Sequence, residues 1–551
     1  MKKLILVMMA VLMALSLAGC GKEEKKPAVE KVLRVALGDE PNIPDPPIAT
    51  DNVSYAVLNQ MYLGLFELDK IGNPQNAACE SYTLSDDGLV YTFKIKDMKW
   101  SDGQAVTADD FVYGMKRSLG LGVAESYYCY YIGNYLVGPK KEFEIDGEVR
   151  FLSAYNGGNV ADMVDLGVKA LDAKTLEITL EKPVPFFTSL MASAVFYPAR
   201  KDFAKEHDST WAYSVDVPVN GPFKPEKLAL NEEIVLVKNP NFIYADKVSL
   251  DKVILIPMAD EDAQVIAFET GEIDMATRPS MSAIAAYKGR PELVWPGSTI
   301  NYYMQMNGAS FTTAKALQNK NIRRAIQLAI DREQLTDVLA VVGNHSPLYG
   351  YVPVGIPGAK GDFRTEQDEV KKLVYYDPEE AVRLLTEAGY TVNKPLKLEY
   401  YYNSSARHDT VATNLQAQLK KVGVEIHFKT ADFPTVLRDR DQLGKYELAR
   451  GAFSADFIDP TTFLDMWASW SQQKAVINDP IYDGFLKEAE VELDPVKRME
   501  ILHKAENYLV DEMAYINPLF YYDNAYFIRV GITGIGMDPA GGTRFAYVKL
   551  P

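Results

Sequence analysis

Residues 396–452 limit the possible folds more than any other stretch of the chain. LKLEYYY (396–402) reads as a strand, about 406–421 as a helix, VEIHF (424–428) as a strand, about 434–443 as a helix, and YELARGA (446–452) as a strand. Two βαβ crossovers in succession predict a parallel sheet with helices on its faces, because such connections pack back onto their sheet with one hand. Ligands of open α/β sheets bind beyond the carboxyl ends of the strands. Those ends are Asn403–His408, Thr430–Phe433 and Phe453–Asp459, so spacing alone places Asp456, His408 and Phe433 along one crevice.

Asp456 stands in ARGAFSADFIDPTTFLDMW (449–467) among Phe453, Phe457, Ile458 and Phe463, a segment that otherwise reads as interior. An ionised carboxylate leaving water costs several kcal/mol unless something pairs with it. The partner is either another part of the chain or a ligand. Asp459, followed by Pro460 at the first helical position, takes the helix-cap role in this stretch and is read as structural.

With 551 residues the chain exceeds one hydrophobic core, and two or three packed units are expected. A formal net charge of −17 argues against nucleic acid as a partner. The five histidines are scattered and no CxxC or HExxH occurs, so neither metal nor another cofactor is expected. Further strands are KVLRVAL (31–37), LVYTFKIK (89–96), KTLEITL (174–180), EEIVLVK (232–238) and KVILIP (252–257). Helices are expected at 107–119, opened by a Thr107/Asp110 capping box, at 322–339, and at DPEEAVRLLTEAGY, capped by Asp377 and stopped at Gly389.

Lys2 and Lys3 precede the apolar run LILVMMAVLMALSLA, which ends in Leu17-Ala18-Gly19-Cys20. This is the order of a secretory signal, and it resembles a bacterial lipobox in which the cysteine is lipidated. The expectation is a signal peptide over 1–20, lipid attached at Cys20, a polar stalk over 21–31, and a protein held at the cell membrane facing the periplasm or exterior. Cys79 and Cys129 then remain as one disulfide or two buried thiols.

Several segments, in order, carry a resemblance. They are TFKIKDMKWSDGQAVTADDFVYGMKR (92–117), DLGVKALDAKTLEITLEKPVPFF (165–187), PVNGPFKPEKLALNEEIVLVKNPNF (218–242), GEIDM (271–275), IRRAIQLAIDRE (322–333) and ARGAFSADFIDPTTFL. Together they resemble the oligopeptide-binding lipoproteins of ATP-driven peptide importers, within the peptide/nickel group of bacterial extracellular solute-binding proteins. The resemblance implies an α/β protein of two hinged lobes in the type II manner, with an inserted third domain. One lobe would comprise 32–75, 175–297 and 525–551, the insert 76–174, and the second lobe 298–524. It implies a monomeric, non-enzymatic protein that traps peptide by hinge closure and presents it to integral-membrane permease subunits. A metal chelate, glycoside or murein fragment is the alternative ligand on the same fold.

The resemblance also distributes roles. Asp456 matches the aspartate that grips a peptide's α-ammonium, and Arg450 an arginine that meets peptide carboxylates. The competing reading for Arg450 is an ion pair with Glu447 or Asp439. His408 and Asn403 match residues near the ligand's C-terminal end. Arg440 is the candidate for a second arginine, although the loop before Gly444 is one residue longer than the family pattern. Phe433 and Phe453 stand where the family has pocket-lining tryptophans. Tyr521 or Tyr522 should face ligand from a strand crossing between the lobes, and SYYCYY (126–131) could reach it from the insert. A Ser454–His408–Asp456 triad is disfavoured, since no G-x-S-x-G elbow surrounds Ser454.

Overall fold

The computed structural model describes residues 30–41, 45–122, 126–145, 148–205, 208–297, 299–309, 313–340, 343–366, 372–471 and 477–551. Cys20 and the segments assigned to leader and most of the stalk lie outside the described residues. No helix among the described residues is long and apolar enough to cross a membrane.

The βαβαβ reading is observed. Leu396–Asn403 pairs in parallel with Val424–Ala431 along its whole length and with Leu448–Phe453 on its other side, at Tyr400↔Leu448 and Tyr401↔Ala449. The helix Ala406–Lys421 makes the first crossover, and Phe433–Leu437 with one wide turn over Arg438–Gln442 makes the second. Ile300–Met306, Ile516–Tyr522 and His345–Pro347 extend this into a six-stranded sheet through antiparallel pairs. Side chains alternate across it. Tyr302 and Tyr400 pack under the helices on one face, while Tyr303 packs with Trp467 and Tyr351 on the other.

The first lobe has a seven-stranded sheet gathered from distant segments. Val32–Leu37 runs parallel to Lys252–Pro257, and Tyr526–Ile528 fits between Met275–Ala276 and Leu293–Val294. The inserted unit is a four-stranded antiparallel sheet of Cys79–Leu84, Val90–Ile95, Thr175–Thr179 and Val168–Asp172. The boundary expected at 174 therefore falls too early, because Thr175–Thr179 is the partner that covers the edge of Val90–Ile95. Cys79 and Cys129 are both buried as free thiols.

Local signals explain most helix ends. In Ala108–Leu121 the Asp110 carboxylate accepts from the Thr107 N–H at 2.8 Å, completing the capping box. Asp377 caps Pro378–Glu387, and Gly389 adopts φ +87° after its end, a conformation glycine takes without Cβ strain. The single helix expected over 322–339 is two, Lys320–Leu328 and Arg332–Leu339. Asp331 ends the first by capping the second, accepting from Gln334 N at 3.0 Å while its own N–H is held by Gln418.

A buried ion pair ties the insert to the first lobe. Arg117 donates to both carboxylate oxygens of Asp45 at 2.8 and 2.6 Å, with side-chain exposures of 1% and 0%. Removing one partner of such a pair leaves an uncompensated charge and costs about 3–5 kcal/mol. Asp45→Ala is accordingly expected to lower the denaturant midpoint of the transition that reports the first lobe and insert.

Candidate functional site

The segment after Leu448–Phe453 is fixed from several sides. Phe453 N donates to Asn301 Oδ1 at 3.1 Å, Ala455 N to Thr299 Oγ1 at 3.4 Å, and Asp456 N to Thr462 Oγ1 at 3.2 Å. Asp459 accepts from Thr461 N and Oγ1 at 3.0 and 2.7 Å, just ahead of the helix Thr461–Leu464, whose cap position is Pro460 and not Asp459 as expected. It also takes both Nη groups of Arg498 at 2.8 Å each, and Arg498 is 2% exposed. This pair anchors the loop that carries Asp456.

Asp456 is treated differently. Its side-chain hydrogen bond is donated by Tyr128 of the insert, at 3.2 Å. Among the described residues no Lys, Arg or His lies within ion-pair distance of it. Burial therefore pushes its carboxyl up to about 6, and the hydroxyls of Tyr128 and Tyr131 only partly counter this. Cavities lie on both sides of it. One, of about 380 Å³, is lined by Asp51, Tyr55 and Tyr197 of the first lobe, Tyr128 of the insert, and Phe453 and Ser454 of the second lobe. The other, of about 300 Å³, lies between the insert and the second lobe and is bounded by Tyr131, Lys182, Asp465 and Glu490. A groove of about 580 Å³ elsewhere on the second lobe is larger. In it Arg364 pairs with Glu506, and His503 hydrogen-bonds Glu366.

A second set of residues meets at the carboxyl ends of the strands. Arg450 is 8% exposed, with Nη1 3.4 Å from Asn403 Oδ1 and its guanidinium 5.3 Å from the Tyr302 ring and 6.0 Å from the Phe433 ring. It makes no ion pair with Glu447 or Asp439. Glu447 accepts from Thr313 Oγ1 and Glu399 N, and Asp439 pairs with Arg438 at 3.1 Å. His408 sits nearby with Nδ1 3.2 Å from the Tyr302 hydroxyl. Burial and the charges of Arg450 and Arg407 push its imidazole down to about 3, so it is neutral.

The other expected residues divide. Phe453 lines the larger of the two cavities at Asp456 and packs edge-on against Phe463. Phe433 is 47% exposed beside Arg450. Tyr522 is buried against His345, and Tyr521 is half-buried one residue earlier. Arg440 is committed internally, with Nε and Nη2 on Asp441 at 2.7 and 2.5 Å and Nη1 on the Arg450 carbonyl at 2.6 Å. It holds the strand in place, and its donors are spent on its chain neighbour Asp441 and on that carbonyl. The sequence reading passed over Tyr55 and Tyr197 of the first lobe and Arg407, although Arg407 directly precedes His408 in a loop already singled out. Among the described residues no group of three His, Cys, Asp or Glu could hold a metal ion.

A model of "Bacterial extracellular solute-binding proteins, family 5 Middle" matches residues 73–475. The chain belongs to that family. This solute-binding protein is 31% identical over 497 residues to the periplasmic oligopeptide-binding protein OppA of Escherichia coli, covering 88% of this chain and 86% of the relative. It is 30% identical over 560 residues to the dipeptide-binding protein DppE of Bacillus subtilis, covering 98% and 97%. The solved structure of Listeria monocytogenes OppA bound to peptide superposes with a TM-score of 0.72 at 28% identity, covering 95% of this chain and 99% of that one. The two-lobed α/β fold expected from the resemblance is the one observed.

The solute-binding protein's Asp456 has a readable signature. A carboxyl that titrates near 4 when unfolded and near 6 when buried holds its proton longer in the folded state. Its contribution to stability is full at low pH and is lost as pH rises from about 4 to about 6. Ligand-free Asp456→Asn is expected to lack this loss and to melt above the wild type at pH 7, as measured by calorimetric melting temperatures between pH 4 and 8.

Proposed function

We propose that this protein captures oligopeptides outside the cytoplasm, in the cleft between its lobes, and delivers them to the permease of an ATP-driven importer. One observation carries the reading: Asp456 is a carboxylate without a cation, and Arg450, on the same strand and loop, is a guanidinium without a carboxylate. A peptide brings the two missing charges at its ends. Its α-ammonium would make a short, charge-assisted bond to Asp456, with Tyr128 retained as a second partner of the carboxylate. Its α-carboxylate would meet Arg450 and Asn403, with His408 contributing as a neutral group. The cavity beside Phe453 would receive a side chain, and the peptide main chain would pair with protein backbone as an added strand.

The lobes already touch around this locus, which suits ligand capture by closure. Ile458 N donates to Ser189 Oγ at 3.1 Å, and the Phe457 ring stacks on Phe186 at 4.6 Å. A ligand bound to Asp456 adds contacts to the same seam, so ligand affinity and closure are coupled. The protein acts by binding, without chemistry on the peptide: His408, held neutral against Tyr302, is a poor base for Ser454. Lipid at Cys20 would keep a monomeric chain at the membrane where the permease sits.

Truncating one partner of a desolvated charge pair costs about 2–5 kcal/mol. Asp456→Asn is therefore expected to weaken free-amine peptides at least tenfold in titration calorimetry, while N-acetylated peptides do not distinguish the two proteins. Equal affinities of a free-amine peptide for both would remove the ammonium role. Native mass spectrometry of the purified protein should show a co-purified peptide mass, and a non-peptide mass would reassign the ligand class.

A further inference from the structure

Arg323 and Arg332 of the second lobe lack a carboxylate but spend their donors on backbone carbonyls and Asn517, whereas two further guanidiniums of that lobe have neither a described carboxylate nor such a set of carbonyls. Arg450 is one, with its Nε buried and unbonded. Arg407 is the other; its Nε is also buried and unbonded, and its guanidinium lies 4.6 Å from the Tyr522 ring. The two belong to one aromatic row. Tyr302 stacks on Phe520 at 4.6 Å, and Phe520 meets Tyr522 at 6.0 Å, with Arg450 over the first ring and Arg407 over the last. Ring faces hold guanidiniums in place but leave their charge uncancelled.

The acids nearby in the chain are turned to other partners. Asp409 accepts from Ser404 Oγ at 3.1 and 3.0 Å, and Asp523 accepts from Asn344 Nδ2 at 2.6 Å. His408, next to Arg407, faces the Tyr302 hydroxyl and adds no charge of either sign. In a chain of net charge −17, this places two uncompensated positive charges at one end of the crevice. Holding partly buried cations apart from acids costs stability, and such arrangements cluster at binding sites.

One terminal carboxylate satisfies one guanidinium. We propose that Arg407 recognises an acidic side chain on the last residue of the bound peptide, so that the protein favours peptides ending in aspartate or glutamate. This rests on the reading that Arg450 takes the terminal carboxylate. The planar fork of an arginine matches a carboxylate bidentately, whereas a neutral amide in the same position leaves the charge unmet.

The test is titration calorimetry with Ala-Ala-Ala-Glu and Ala-Ala-Ala-Gln on the wild type, Arg407→Gln and Arg407→Lys. The wild type should bind the glutamate peptide at least tenfold tighter than the glutamine peptide. That ratio should fall to within twofold of one in Arg407→Gln and be partly kept in Arg407→Lys. A wild-type ratio near one, or a tenfold ratio surviving in Arg407→Gln, overturns the inference. If both peptides bind the wild type equally, the inference falls and peptide binding stands; if neither binds, both readings fall.

Discussion

The hydrogen bond from Tyr128 to Asp456 joins the inserted unit to the second lobe, and a neutral hydroxyl is a weak partner for a carboxylate withdrawn from water. Three residues further on, Asp459 shows what full compensation looks like, with both oxygens on Arg498. The same short loop thus holds one aspartate that is finished and one that is left wanting. Had Arg498 reached Asp456 as well, the seam would be sealed by an internal ion pair, and an incoming amine would first have to break it.

A parallel division separates two arginines on and before the strand Leu448–Phe453. Arg440 spends its donors on Asp441 and on the carbonyl of Arg450, and so becomes part of the wall. Arg450 keeps its charge open between Tyr302 and Phe433. Recognition by unmet charge suits a binder that must accept many side chains, since every peptide has termini. The strongly acidic surface of the whole chain opposes anionic ligands at long range, and the open arginines act only at close quarters.

What could be read from the residues was what is local. The strand–helix alternation over 396–452 is set by hydrophobic period, and it delivered Asp456, His408 and Asn403 to one sheet end. Long-range pairing was not legible: Tyr128 lies 328 residues from Asp456, and nothing in SYYCYY selects the hydroxyl that reaches it. The commitment of Arg440 was not legible because it depends on the side chain of its own neighbour Asp441, a choice of rotamer that spacing does not encode. The break at Asp331 was hidden because the apolar face of 322–339 continues across it. Arg407 was overlooked since the role proposed for it depends on Asp409 and Asp523 being turned to other partners, and such choices in space leave no pattern in sequence.

The first lobe's sheet has a consequence for the order in which the molecule can assemble. Tyr526–Ile528 is an interior strand of that sheet, flanked by Met275–Ala276 and Leu293–Val294, yet it is joined to them only after the whole second lobe has intervened. The second lobe's strands all fall within residues 300–522 and can condense as a continuous piece. The first lobe must wait for the chain to return, keeping Leu293–Val294 without a partner and one edge of Met275–Ala276 uncovered until then. Its maturation therefore works as a late checkpoint, in which a chain lacking residues 526–528 has a competent second lobe and no complete surface to close against.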